Sequence, residues 1–149
     1  MTRAPTDVID LTILAVPGGG PGGAGSPPGG GPGRSFVRFL KDETRKTVFA
    51  EVSSTGLFGE WTRPGGGGAV IQSGVEGPAA YWDNVAPATA HLLLDHYGAD
   101  GYRPYESANP GSNAGWTASD RAAFPKNLRH GSILPLSASL YAALKEKCG

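Results

Sequence analysis

The residues best suited to chemistry gather late in the chain, where His130 follows Arg129, with Lys126 and Arg121 upstream. An imidazole can move a proton near neutral pH, and neighbouring cations can steady an anion, which is the equipment of a small hydrolase or nuclease. Such a site needs a second titratable group, and His91 or His96 is the candidate to supply it across the fold. Those two lie five positions apart, which on a helix separates them by about 140° and leaves them off a common face. Metalloprotease histidines are four apart, and Asp95, adjacent to His96, would not face it on a helix. The run Gly65–Gly68 lacks the Lys-Ser/Thr ending of a phosphate loop and is preceded by Trp61-Thr62-Arg63-Pro64 rather than by a strand. There is no Gly-x-Ser-x-Gly, no cysteine pair and no carboxylate pair at a recognisable separation. The sequence therefore assigns no catalytic, cofactor-binding or metal-ligating residue. A hydrolase using His130 and Arg129 with a helical histidine stands as the alternative reading.

Aromatic residues carry the leading expectation. Trp61, Tyr81, Trp82, Tyr102, Tyr105 and Trp116, with Arg103 among them, mostly sit between Gly, Pro, Asn and Ser. Either they fold back to close a small core, or they are anchors for a partner's grooves. The second reading makes Trp61, Tyr81, Trp82, Tyr102, Arg103, Tyr105 and Trp116 a partner-binding set.

Hydrophobic patterning gives the elements that would hold these side chains. Val8–Val16 is rich in β-branched residues and predicts a strand. Phe36–Leu40 and Thr47–Val52 flank the charged turn Lys41–Lys46 as a hairpin, and a further short strand is expected over Ala69–Gln72. Beyond Asn84 the pattern predicts helices. One spans Ala88–Tyr97, with Asn84 near its start and Gly98 at its stop. A short second helix opens at Thr117 with Asp120 and ends before Pro125, and a third is capped by Ser137, with Leu140 and Leu144 as its buried stripe. Ala99–Gly115 is expected to be irregular. The fold class is thus α+β, small and loop-rich, with short N-terminal strands followed by two or three short helices.

Composition sets the limits. The 149 residues include 24 glycines and 13 prolines, and Pro17–Gly33 alone holds ten of the glycines and five of the prolines. That tract has little to bury and divides the chain into a strand segment (1–16), a Gly/Pro-rich insertion (17–34) and a small domain (35–149). It reaches along a neighbour's surface in this reading. Leu, Ile, Val and Phe together make just under one fifth of the chain, enough for a small core. Thirteen basic and thirteen acidic residues cancel, which argues against a nucleic-acid partner. Lone Cys148 cannot form an internal disulfide, and no apolar run reaches membrane-spanning length or resembles a signal peptide. A soluble intracellular protein, without membrane or cofactor, is expected.

The stretch His96–His130 resembles small ciliary proteins that line axonemal doublet microtubules. The matching residues are Tyr97-Gly98, Gly101-Tyr102-Arg103-Pro104-Tyr105, Gly115-Trp116 and Asp120-Arg121, with Asp100 and Ala114 departing from the pattern. The resemblance implies a non-enzymatic subunit of the flagellar axoneme that contacts tubulin and neighbouring proteins through loops. Other assembly subunits, viral or organellar, fit the same composition.

Overall fold

The computed structural model describes residues 8–16, 35–83 and 87–148. A first antiparallel sheet runs in chain order through β1 (Val8–Val16), β2 (Ser35–Asp42), β3 (Thr47–Ser53) and β4 (Gln72–Ser73). A second repeats the pattern with β5 (Glu76–Trp82), β6 (Ala90–His96), β7 (Gly101–Ser107) and β8 (Thr117–Ala118). One helix, α1 (Ala138–Cys148), follows. The Gly/Pro tract Pro17–Gly33 and the cap at Asn84 lie outside the described residues.

The strand and hairpin expected at the N-terminal side form. β2 and β3 pair from Phe36↔Ser53 to Asp42↔Thr47, leaving a four-residue turn at 43–46 in which Asp42 Oδ1 accepts the Arg45 amide at 3.1 Å. The α+β class does not hold, and its failure has a local cause. Leu92-Leu93-Leu94 is buried on both faces of β6: Leu92 and Leu94 enter the core between the sheets, while Leu93 joins Ala79 and Tyr102 on the opposite face. A short apolar run of that kind has no period that distinguishes strand from helix. Gly101–Ser107, expected to be irregular, is strand β7. Thr117 begins a two-residue strand rather than a helix, and Asp120 accepts the Ala122 amide at 3.0 Å in a local turn. Ser137 does cap α1, accepting the Leu140 amide at 3.2 Å, but no residue of that helix is buried, Leu140 and Leu144 included.

The two sheets pack through Leu14, Val37, Phe39, Val48, Ala50 and Val75 on one side and Ala90, Leu92 and Leu94 on the other. Each large aliphatic or aromatic side chain fully buried there stabilises the fold by about 1.5–3 kcal/mol relative to exposure. β5 approaches β1 most closely and β2 and β3 progressively less, so the sheets splay like wedges. Asn113 ties them together at the outer side. Its side chain accepts the Ala50 amide at 2.6 Å and donates to Ala50 O and Pro64 O at 3.2 and 2.9 Å, supplying partners that β4 is too short to offer.

Residues 127–136 form a strap over the outer face of the second sheet. The strap is pinned beside β7, where the Tyr102 amide donates to Leu128 O at 2.8 Å and the Asn127 amide to Asp100 O at 3.1 Å. The approach is so close that a Cβ on Gly101 would stand 2.5 Å from Leu128 O, and Gly101 also has φ 86°. From there the strap crosses β6 toward the seam between β5 and β1.

Candidate active site

Three side chains distant in sequence meet under this strap. Glu76 on β5 and Asp95 on β6 are direct cross-strand partners and so project from the same face. His130 descends on them from the strap, its Nε2 3.5 Å from Glu76 Oε1 and 3.3 Å from Asp95 Oδ2. The backbone is shaped to receive it. Gly77 has φ 52°, and a Cβ there would sit 3.3–3.4 Å from three atoms of the imidazole ring, so a side chain at position 77 would press on it. His130 itself takes φ 40°, an unusual backbone conformation for a non-glycine residue. The Gly131 amide donates to Tyr102 Oη at 3.1 Å, and Tyr102 Oη donates to Gly77 O at 2.8 Å, locking strap to floor.

The electrostatics separate the two carboxylates. Asp95 is 0 % exposed, and neither of its oxygens has a hydrogen-bond partner; its charge is met at longer range by His130 and by Arg129 Nη1 at 3.7 Å. Glu76 keeps a quarter of its side chain exposed, so solvent and solutes reach it. Lys41, only 4 % exposed, crosses from β2 to donate to Glu76 Oε2 at 2.8 Å and lies 2.7 Å from Glu43 Oε1. Burial pulls the Lys41 pKa down, but the hydrogen bonds to Glu43 and Glu76 outweigh it and hold it above the ordinary lysine value. The same Lys41 hydrogen bond is the main cause holding Glu76 below the ordinary carboxylate range, and His130 adds to it. Free of ligand, Glu76 is therefore ionised at neutral pH.

Glu76, Asp95 and His130 also bring one potential ligand atom each within 4.8 Å, the geometry of a small cation site. Lys41 and Arg129 already face the same carboxylates and compensate their charge.

The histidines do not gather as the hydrolase alternative supposed. His91 and His96 lie on strand β6, not on a helix. His91 stacks on Tyr81, with centroids 4.9 Å apart, and stands 3.6 Å from Asp83, while His96 Nε2 and Tyr105 Oη are 3.0 Å apart. His91 and Asp95 share a face four residues apart, so strand rise puts about 13 Å between their positions. His130 and Arg129 are at the site, and their partners are acids that sequence reasoning passed over. Glu76, Asp95 and His130 are separated by 19 and 35 positions, and no local spacing links them.

The aromatic set is dispersed. Trp61 lies beneath the Arg38 guanidinium at 4.3 Å, Trp116 meets Phe39 edge to face at 5.4 Å, and Tyr102 is buried below the strap. Arg103 pairs with Asp100 at 3.2 Å, and Tyr105 stacks against His96. Tyr81 and Trp82 line a groove of about 700 Å³ at the far end of β5, with Ile13, Leu14, Asp83 and the strap residues 133–136.

A β-sheet scaffold thus presents a solvent-reachable carboxylate beside a buried one, under a histidine. Residues 3–142 match the model of the glycosyl hydrolase 43-related family, described as a probable glycosyl hydrolase domain, and the chain belongs to that family. No curated protein and no solved structure matches it. The family match overturns the resemblance to microtubule inner proteins, and with it the expectations of a non-enzymatic axonemal subunit and of a cilium or flagellum. Of the residues behind that resemblance, Tyr97-Gly98 lie in the β6–β7 turn and Gly101–Tyr105 in β7, where Tyr102 and Arg103 pair with Asp95 and Leu94 across the sheet and Arg103 forms an ion pair with Asp100. Among the described residues no helix is long and apolar enough to cross a membrane.

Proposed function

We propose that the chain hydrolyses glycosidic bonds and that Glu76 is the carboxylate that meets the substrate. Glycoside hydrolysis turns on carboxyl groups that pass a proton to or from oxygen at the scissile bond. Glu76 is the member of the cluster that is both reachable and held by a defined set of partners. The observation that carries the reading is the Glu76–His130–Asp95 contact set in a chain of this family.

Asp95 acts as a positioning residue. Shut away from solvent, it faces His130 and Arg129 and so holds the strap, and through it the imidazole, against Glu76. Lys41 sets the proton affinity of Glu76. The test is release of reducing sugar from a panel of aryl glycosides and of neutral oligosaccharides by the full chain. Turnover of at least one substrate, abolished in Glu76→Gln, is the expected result. Equal turnover in the variant would remove Glu76 from the reaction.

A further inference from the structure

Two cavities of the molecule join end to end along the seam between β1 and β5. The smaller, about 180 Å³, is lined by Thr12, Gly77–Ala79, Tyr102 and strap residues 130–132. The larger, about 700 Å³, takes up each wall where the first leaves it: Ile13 and Leu14 after Thr12, Ala80–Asp83 after Ala79, and 133–136 after Ser132. Together they form one trench with the strap along one side and His130 at one end. From Gly77 to Asp83 the strand rise makes this on the order of 20 Å, longer than a single sugar or a disaccharide, and Glu76 lies just beyond the His130 end.

The lining has a consistent chemistry. The larger cavity is lined by Tyr81 and Trp82 with aliphatic Ile13, Leu14, Ile133 and Leu134, the Tyr81 ring on the strap face of β5 and Trp82 packed toward the core between the sheets. Leu134 is 77 % exposed and stands at the rim. At the smaller end the Tyr102 hydroxyl is taken by Gly77 O and the Gly131 amide and Thr12 Oγ1 accepts the Ala80 amide, so Ser132 is the hydroxyl-bearing residue of that lining with no such bond. Among the described residues lining the two cavities, Asp83 is the one acid and His130 the one group that can carry positive charge. Flat rings with an apolar body and a polar edge suit the C–H faces and hydroxyls of a sugar. Walls almost free of charge suit a neutral chain better than a uronate or phosphorylated one.

We infer that this trench binds a neutral glycan chain several sugar units long, with Tyr81 as a stacking ring at the end remote from Glu76. The inference rests on the glycoside-hydrolase reading and deepens it: the substrate is an oligosaccharide or polysaccharide strand rather than a small terminal glycoside. The strap then has two roles in one segment, since residues 129–130 hold the carboxylates while residues 133–136 wall the binding groove.

The experiment uses the full chain carrying Glu76→Gln, titrated calorimetrically with maltohexaose, cellohexaose and xylohexaose and with the corresponding disaccharides. The expected result is that at least one hexasaccharide binds ten-fold or more tightly than its disaccharide. Tyr81→Ala, added to the Glu76→Gln chain, is expected to weaken that binding ten-fold or more. Tyr81 packs outside the main core, so its variant is expected to keep the fold, with melting temperature as the control. Absence of hexasaccharide binding, equal binding of the short and long sugars, or binding unmoved by Tyr81→Ala overturns the trench. If the wild-type chain still cleaves small glycosides in that event, the hydrolytic reading survives alone. Hexasaccharide binding with these properties in a chain that cleaves nothing leaves the trench standing and removes the hydrolytic reading.

Discussion

Glu76 and Asp95 face each other across β5 and β6, and His130 Nε2 lies 3.5 Å from the first and 3.3 Å from the second. One imidazole thus sits against two acids whose surroundings differ: one open and tied to Lys41, the other closed and without a hydrogen bond. The fold makes this possible by placing both acids at the same end of adjacent strands and returning the chain over them in the strap.

Removing the Lys41 charge shifts the acid–base behaviour of the site. Lys41 holds the Glu76 pKa down, so Lys41→Met raises it. The limb of the pH–activity profile governed by Glu76 then moves to higher pH. The sign for stability follows from linkage: a carboxylate with a depressed folded pKa adds stability above its unfolded pKa that is lost as pH falls through the folded value. That acid-side dependence is expected to shrink in Lys41→Met. An unchanged pH profile would show that the ion pair does not reach the reaction.

Gly77→Ala tests the cradle. The new Cβ would sit against the His130 ring on a backbone with φ 52°. The expected cost is about 1–3 kcal/mol of folding free energy, read by denaturant unfolding, together with lower activity. Wild-type stability and activity would show that His130 does not depend on this surface.

Asn113→Ala is expected to destabilise the fold by about 1–3 kcal/mol, because it strips the buried Ala50 amide and carbonyl of their partner. Asn113→Asp should not restore the loss, since a carboxylate cannot donate to Ala50 O or Pro64 O. Chemical unfolding at neutral pH reads both.

Asp100 gives a separate acid signature. The Arg121 hydrogen bond at 2.7 Å is the main cause holding its pKa at about 2 against 3.8 for the free group, and Arg103 assists. Its contribution is full above pH 3.8 and fades as pH falls toward 2. Asp100→Asn should flatten stability across that window and leave neutral-pH activity in place. Retention of the full slope would assign the acid sensitivity elsewhere.

Parts of this arrangement are legible in the chain. β-branched Val8–Val16 and the charged turn between Phe36 and Val52 announce their strands because local residue types decide them, and Ser137 marks the start of α1. The β6 strand hides because Leu92-Leu93-Leu94 is buried on both faces and so lacks alternation. His130 and Arg129 stand out by residue type alone. Glu76 and Asp95 do not, since only the β5–β6 register makes them neighbours. Gly77 and Gly101 signal nothing in a sequence with 24 glycines, yet each is required where the strap comes close.

The most direct measurement compares kcat/KM for glycoside cleavage in the wild-type chain and in Glu76→Gln, with melting temperature as control. Removal of a group that transfers the proton is expected to lower the rate by about 10²–10⁴-fold, with the fold intact. Cleavage by Glu76→Gln at the wild-type rate, or no cleavage of any glycoside by the wild-type chain, would contradict the account.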